Sequence, residues 1–177
     1  ALFYPEHGGS RAAALDLGLA LRNLGIRVVE SDFARLCRQG EQLLKHPSPD
    51  LAADLAAQIA VLNVLAEKAP AVIVPALTPL TRYFVQILGN AGVKTLYWGV
   101  EDFRLVREWE QIADAYHAVV CIQTGEFPER LKNQGCGRVC SLPHGTVRRP
   151  APAPVPKQYS VVFVGAPYPN RVAFFRY

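Results

Sequence analysis

Two short runs in this chain, Ala71-Val-Ile-Val74 and Ala118-Val-Val-Cys-Ile122, contain no polar side chain. A strand with one wet face alternates apolar and polar residues. One that is apolar throughout belongs inside a sheet, and such sheets are parallel. Parallel neighbours cannot be joined by a tight hairpin, so the chain between them must cross over, usually as a helix. The rest of the sequence supplies that alternation. Leu2-Phe3-Tyr4 reads as a strand, followed by a polar loop, Glu6-His7-Gly8-Gly9-Ser10. Ala14, Leu17, Leu21 and Leu24 then recur at helical steps until Gly25. Ile26–Val29 reads as the second strand. A helix through Leu51, Leu55, Ile59 and Leu62 opens at Ser48-Pro49-Asp50, a good start signal with proline in the first turn. Further expected pairs are a helix through Leu80, Phe84 and Leu88 with strand Thr95–Trp98, and a helix over Leu105–Ala115 with strand Ala118–Ile122. A last pair is helix Thr124–Asn133 with strand Arg138–Leu142. The expected fold is α/β: a Rossmann-like, doubly wound parallel sheet of five or six strands with helices on both faces.

This alternation fills residues 1–145 as one domain. Residues 146–157 are rich in proline and lack an apolar period, which marks a linker. Residues 158–177 then open with Val161-Val-Phe-Val164, a strand ended by Gly165 and two prolines. They read as the first strand and loop of a second domain cut off at Tyr177. An apolar tail of that kind needs cover. Packing on the first domain or on another copy of the chain would give it, so a homodimer through the tail is one expected arrangement.

Charge narrows the ligand classes. The net charge is +4, with basic residues scattered except for Arg148-Arg149. No basic run is interleaved with aromatics, so nucleic acid is not expected as a partner. The four cysteines form no Cys-x-x-Cys and have no histidine at zinc-ligand spacing, so no metal is expected, and without a dinucleotide fingerprint no cofactor is expected either. No signal peptide or stretch of transmembrane length is apparent, which points to the cytoplasm and to no integral membrane segment.

Four segments stand where loops leave expected strands, the usual place for ligands in α/β sheets. His7, Gly8 and Gly9 precede a helix N-terminus that favours an anion, although a plain turn with a solvated histidine explains them as well. They do not form the Gly-x-Gly-x-x-Gly dinucleotide pattern. Pro75–Pro79 follows the third strand and reads as a helix start capped by Thr78. Trp98-Gly-Val-Glu-Asp102 places two carboxylates, Glu101 and Asp102, beside aromatic residues. That combination offers a sugar ring a flat face and its hydroxyls an acceptor or base. The alternative is that Asp102 caps the next helix and Trp98 is core. His144, in Pro143-His-Gly-Thr146, leaves the last strand at the linker, where an interdomain cleft would have its floor.

Taken in order, Trp98-Gly-Val-Glu-Asp-Phe103, Leu142-Pro-His-Gly-Thr146 and Val161-Val-Phe-Val-Gly-Ala-Pro-Tyr-Pro-Asn-Arg171 resemble the CgeB-like spore-maturation family of bacterial glycosyltransferases. The resemblance runs over nearly the whole chain and implies the two-domain GT-B fold. It implies an N-terminal domain that mainly holds the acceptor and a C-terminal domain that holds a nucleotide-sugar donor, without a metal. On that basis Glu101, Asp102 and His144 are the catalytic candidates. His7, Gly8, Gly9 and Trp98 face the cleft, and Gly165 and Arg171 belong to the donor side. Most of the donor domain is missing, so this stretch alone is not expected to catalyse transfer. A different class stays open beside it: a non-catalytic Rossmann-like module that binds a sugar or nucleotide, or regulates a partner.

Overall fold

The structure is a computed structural model that describes residues 1–44, 48–143 and 145. The chain divides into two units, Ala1–Val147 and Arg148–Tyr177. All described residues belong to the first. His144, the linker at 146–157, the strand expected at Val161–Val164, Gly165 and Arg171 lie outside the described residues.

Six strands, all parallel, form one sheet: β1 (Leu2–Tyr4), β2 (Glu30–Asp32), β3 (Ala71–Pro75), β4 (Lys94–Gly99), β5 (Ala118–Cys121) and β6 (Val139–Ser141), in the order β2-β1-β3-β4-β5-β6. The chain moves one way from β1 to β2, then returns past β1 and steps the other way through β6. Right-handed crossovers therefore put the first helix, α1 (Gly8–Asn23), on one face and the later helices on the other. Those are α2 (Phe33–Leu43), α3 (Pro49–Ala66), α4 (Arg82–Asn90), α5 (Trp109–Ile112) and α6 (Glu126–Asn133). This is a Rossmann-like, doubly wound α/β fold.

Side-chain alternation sorts the strands between the two faces. Phe3, Val72, Val74, Tyr97, Val119 and Cys121 point into the main core, where Phe33, Leu36, Val64, Phe84, Leu88, Phe127 and Leu131 from the helices meet them. Each such fully buried side chain contributes roughly 1.5–3 kcal/mol. Leu2, Tyr4 and Ile73 point the other way, against Ala14 and Leu17 of α1. One helix covers only part of that face. Ile73, Leu96, Trp98 and Val120 remain half-buried, lining a groove of about 630 Å³ with Leu17 of α1, Leu24 at its C-cap and Leu142 beyond β6. The all-apolar runs are thus interior strands, but buried fully on one face only.

Several local expectations are corrected. The second strand is Glu30–Asp32 rather than Ile26–Val29. Its register (Leu2↔Glu30, Tyr4↔Asp32) is tied by polar contacts: Tyr4 bonds Glu30, and Arg11 holds Asp32. An edge strand anchored this way has little need of apolar residues, and Ile26 is exposed on the approach to it. Helix α2 carries no long apolar stripe and was not expected. Asp32 caps it by accepting from the Arg35 N–H, and it buries Phe33, Leu36 and Cys37 at helical spacing. The helix expected over Leu105–Ala115 is only α5 plus one 3₁₀ turn, Ala113–Ala115. Upstream, the Asp102 carbonyl accepts from Leu105 N and Val106 N, which closes a turn instead. α3 is long and apolar enough to cross a membrane, by length and composition, which amends the expectation that no stretch reaches that size. Its alanine stripe (Ala52, Ala56, Ala57, Ala60) is packed into the core.

Candidate active site at the sheet's switch point

In open α/β sheets ligands bind outside the carboxyl ends of the strands, where the strand order reverses. Here that point lies between β1 and β3, and the loops after β1, β3, β4 and β5 meet there. α1 begins at Gly8, inside the stretch expected to be loop. Gly8 has φ +82°, a left-handed conformation that disfavours side chains, and a Cβ on it would touch Leu77 Cδ1 at 3.4 Å. A Cβ on Gly9 would lie 3.4 Å from Glu101 Oε1. The two glycines therefore admit two neighbours, the loop after β3 and the carboxylate after β4.

Glu101 is the centre of this arrangement. Its Oε1 accepts from Ser10 N at 2.9 Å and from Ser10 Oγ at 2.7 Å, and Ser10 is fully buried. Its backbone carbonyl accepts from Gln123 Nε2, from the loop after β5, at 2.5 Å. The first turn of a helix exposes N–H groups and partial positive charge, which make it an anion site. In this chain that first turn already carries an internal carboxylate, since Glu101 accepts from the Ser10 N–H.

The neighbouring carboxylates divide by environment. Asp102 turns away from the rim and holds Arg104, accepting from Nε at 3.0 Å and Nη2 at 2.9 Å. That pairing keeps its carboxyl below the usual carboxylate range. Glu108 was not singled out from the sequence. It is half-buried, and its Oε1 accepts from Leu77 N at 2.7 Å and Tyr97 Oη at 3.2 Å. Burial raises its pKa against the lowering effect of those two bonds. Leu77 is held with φ +67°, left-handed for a branched residue, by the bond to Glu108 and its seat against Gly8. Nothing local in the sequence signals that link, since Leu77 and Glu108 are far apart along the chain.

Tyr97 and Trp98 part company, as adjacent strand residues must. Tyr97 is buried beside Tyr116, with ring centroids 5.5 Å apart, and burial drives both phenols far above their ordinary pKa. Trp98 lines the apolar groove on the opposite face. The structure thus brings Gly8, Gly9 and Glu101 together. It leaves Trp98 on the α1 side of the sheet, Asp102 in its own ion pair, and His7 exposed at the N-cap of α1 with no side-chain capping bond. On the outer flank Arg11 forms a two-pronged pair with Asp32 (2.8 Å and 2.8 Å), which lowers the Asp32 pKa. Among the described residues, no group of three histidine, cysteine or acidic side chains is placed to hold a metal ion. No protein-family model, curated protein or solved structure matches this chain.

Proposed function

We propose that residues 1–145 are the acceptor-side unit of a GT-B glycosyltransferase that moves a sugar from a nucleotide-sugar to an acceptor in the cytoplasm. The observation that carries this reading is the placement of Glu101. It stands at the switch point with Oε1 anchored on Ser10, and in this reading Oε2 is the oxygen that meets an acceptor hydroxyl. An anchored carboxylate of this kind suits a general base or a hydroxyl-orienting group. The same contact already occupies the Ser10 N–H at the α1 N-terminus, one of the donors a diphosphate would use there. This agrees with a donor held elsewhere, on the side the resemblance assigns to Gly165 and Arg171. His144 remains the second candidate for proton transfer. The test uses the intact protein: nucleotide-sugars are screened by saturation-transfer NMR, and turnover of the one that binds is compared with Glu101→Gln. A base should lose on the order of 10²–10⁴ in rate, with donor binding unchanged. Wild-type turnover in both Glu101→Gln and Asp102→Asn removes these carboxylates from the mechanism.

One observation favours the second reading, a non-catalytic module that binds a sugar or nucleotide. Both carboxylates are already engaged within the chain, Glu101 on Ser10 and Asp102 on Arg104. Saturable nucleotide-sugar binding by the intact protein with neither transfer nor hydrolysis decides for it.

A further inference from the structure

The turn after β3 is held to its neighbours through its N–H groups. Ala76 N donates to the Trp98 carbonyl of β4 at 2.9 Å, and Thr78 N to the Pro75 carbonyl at 3.3 Å. Leu77 N, between them, donates to a side chain, Glu108 Oε1, at 2.7 Å. Glu108 is itself well fixed. Buried Tyr97 donates to the same oxygen at 3.2 Å. The next residue, Trp109, is buried, with its Nε1 donating to the Phe103 carbonyl at 3.0 Å. Leu77 is therefore kept at φ +67°, where a branched residue settles only if its surroundings impose it. Backbone outliers of this kind gather at functional sites, and this one stands on the rim beside Glu101. The space that a side chain on Gly8 would fill is bounded by both residues. A Cβ there would lie 3.4 Å from Leu77 Cδ1 and 3.9 Å from Glu101 Oε1. Gly8 opens the turn of α1 that carries the Ser10 N–H and hydroxyl, the two donors to Glu101.

We infer that Glu108 is a positioning residue for the Glu101 rim, acting through Leu77 and Gly8 and not on the substrate. The chain has two links. Glu108 fixes the Leu77 backbone, and the Leu77 side chain then limits where Gly8, and with it Ser10, can stand. Without the Glu108 acceptor, Leu77 returns to negative φ, which carries its isobutyl group off Gly8. Glu101 would keep the bond from Gln123 to its backbone but lose the fixed position of its Ser10 donors. For a base this matters, because a misplacement of about 1 Å can cost about 10²-fold in rate. That kinetic consequence rests on the reading of Glu101 as a base or hydroxyl-orienting group. The structural one, that Glu108 sets the Ser10–Glu101 contact, does not.

The test compares Glu108→Ala, Glu108→Gln and Leu77→Gly in the intact protein. NMR follows the Leu77 Cα and Cβ shifts and the amides of Gly8, Gly9 and Ser10. Turnover is measured with the nucleotide-sugar found by saturation transfer. Glu108→Ala should take Leu77 out of positive φ, move the three amides and lower kcat about 10- to 100-fold, with the donor KM unchanged. Glu108→Gln keeps an acceptor oxygen and should restore the amides and most of the rate. Leu77→Gly keeps the bond to Glu108 and accepts positive φ freely, so it folds, yet it removes the contact with Gly8. It should move the same amides and lower kcat about tenfold. Moved amides with wild-type turnover in Glu101→Gln uphold the positioning and strike the catalytic reading alone. The inference is overturned if Gly8–Ser10 stay in place in both Glu108→Ala and Leu77→Gly, or if Glu108→Gln disturbs them as much as Glu108→Ala. Wild-type kcat in Glu108→Ala and Leu77→Gly, where Glu101→Gln loses rate, overturns it too.

Discussion

Removing the Glu101 side chain should damage the first helix more than its half-buried position suggests. Ser10 donates twice to Oε1, from its N–H and from its hydroxyl, and Ser10 is fully buried. Glu101→Ala leaves both donors without an acceptor. Hydrogen bonds to a charged group contribute about 1.5–3 kcal/mol, and an orphaned buried donor carries a comparable penalty. Loss of the anion at the helix N-terminus adds about 0.3–1 kcal/mol. These terms overlap, so a total loss of about 3 kcal/mol is expected, or roughly 6–12 °C in Tm for a chain of this size. Glu101→Gln keeps an acceptor oxygen and loses only the charge, about 1 kcal/mol. Thermal and urea unfolding of wild type, both variants, Ser10→Ala and the Glu101→Ala/Ser10→Ala double variant form a cycle. Its coupling energy should be about 1–2 kcal/mol, because the double variant leaves no buried hydroxyl unpaired. Additive single effects, or a Glu101→Ala variant as stable as wild type, would refute the claim that this carboxylate completes the helix start.

Three other outcomes follow from the same geometry. A Cβ at Gly18 would overlap the Tyr4 hydroxyl, itself bonded to Glu30; Gly18→Ala should therefore lose about 1–2 kcal/mol in urea unfolding, although alanine is the better helix former by about 1 kcal/mol. Burial raises the Glu108 pKa in the folded state, so its charged form opposes folding above that pKa and its neutral form does not. Glu108→Gln should then match wild type in Tm at acid pH and gain on it as pH rises above the unfolded glutamate value of about 4.3 and through the raised folded one. Arg11 lowers the Asp32 pKa, so this pair stabilises above the unfolded carboxyl value of about 4 and fades as pH falls through the folded one. Asp32→Asn should cost about 1 kcal/mol at most near neutral pH, since the pair is partly exposed, with the difference from wild type disappearing in acid.

How much of this was legible depended on whether the signal was local. Ala71–Pro75 and Ala118–Cys121 were readable because an apolar β-branched run between turn residues has few other uses. The edge strand Glu30–Asp32 was misplaced because its register comes from Tyr4–Glu30 and Arg11–Asp32, contacts that no periodicity records. α2 was missed because its core side chains are spaced among polar ones and its cap, Asp32, closes the preceding strand. At the site, Gly8, Gly9 and Glu101 could be named from position alone, as residues after strands. Asp102 looked equivalent to Glu101 because adjacency hides direction; only its turn and Arg104 separate the two. Glu108 left no sequence signal, since its partners Leu77 and Tyr97 are brought to it by the crossovers.

Glu101 of the chain itself engages the α1 N-terminus, so a nucleotide phosphate should find no site on that turn. The direct measurement is a titration of the isotopically labelled protein with uridine diphosphate, following the backbone amides of Gly8, Gly9 and Ser10. These three resonances should stay in place at concentrations that saturate any donor site, because the Ser10 N–H is already bonded to a carboxylate. Saturable shifts at Gly8–Ser10, with Glu101 displaced from Ser10, would contradict it and make this turn the nucleotide-binding element.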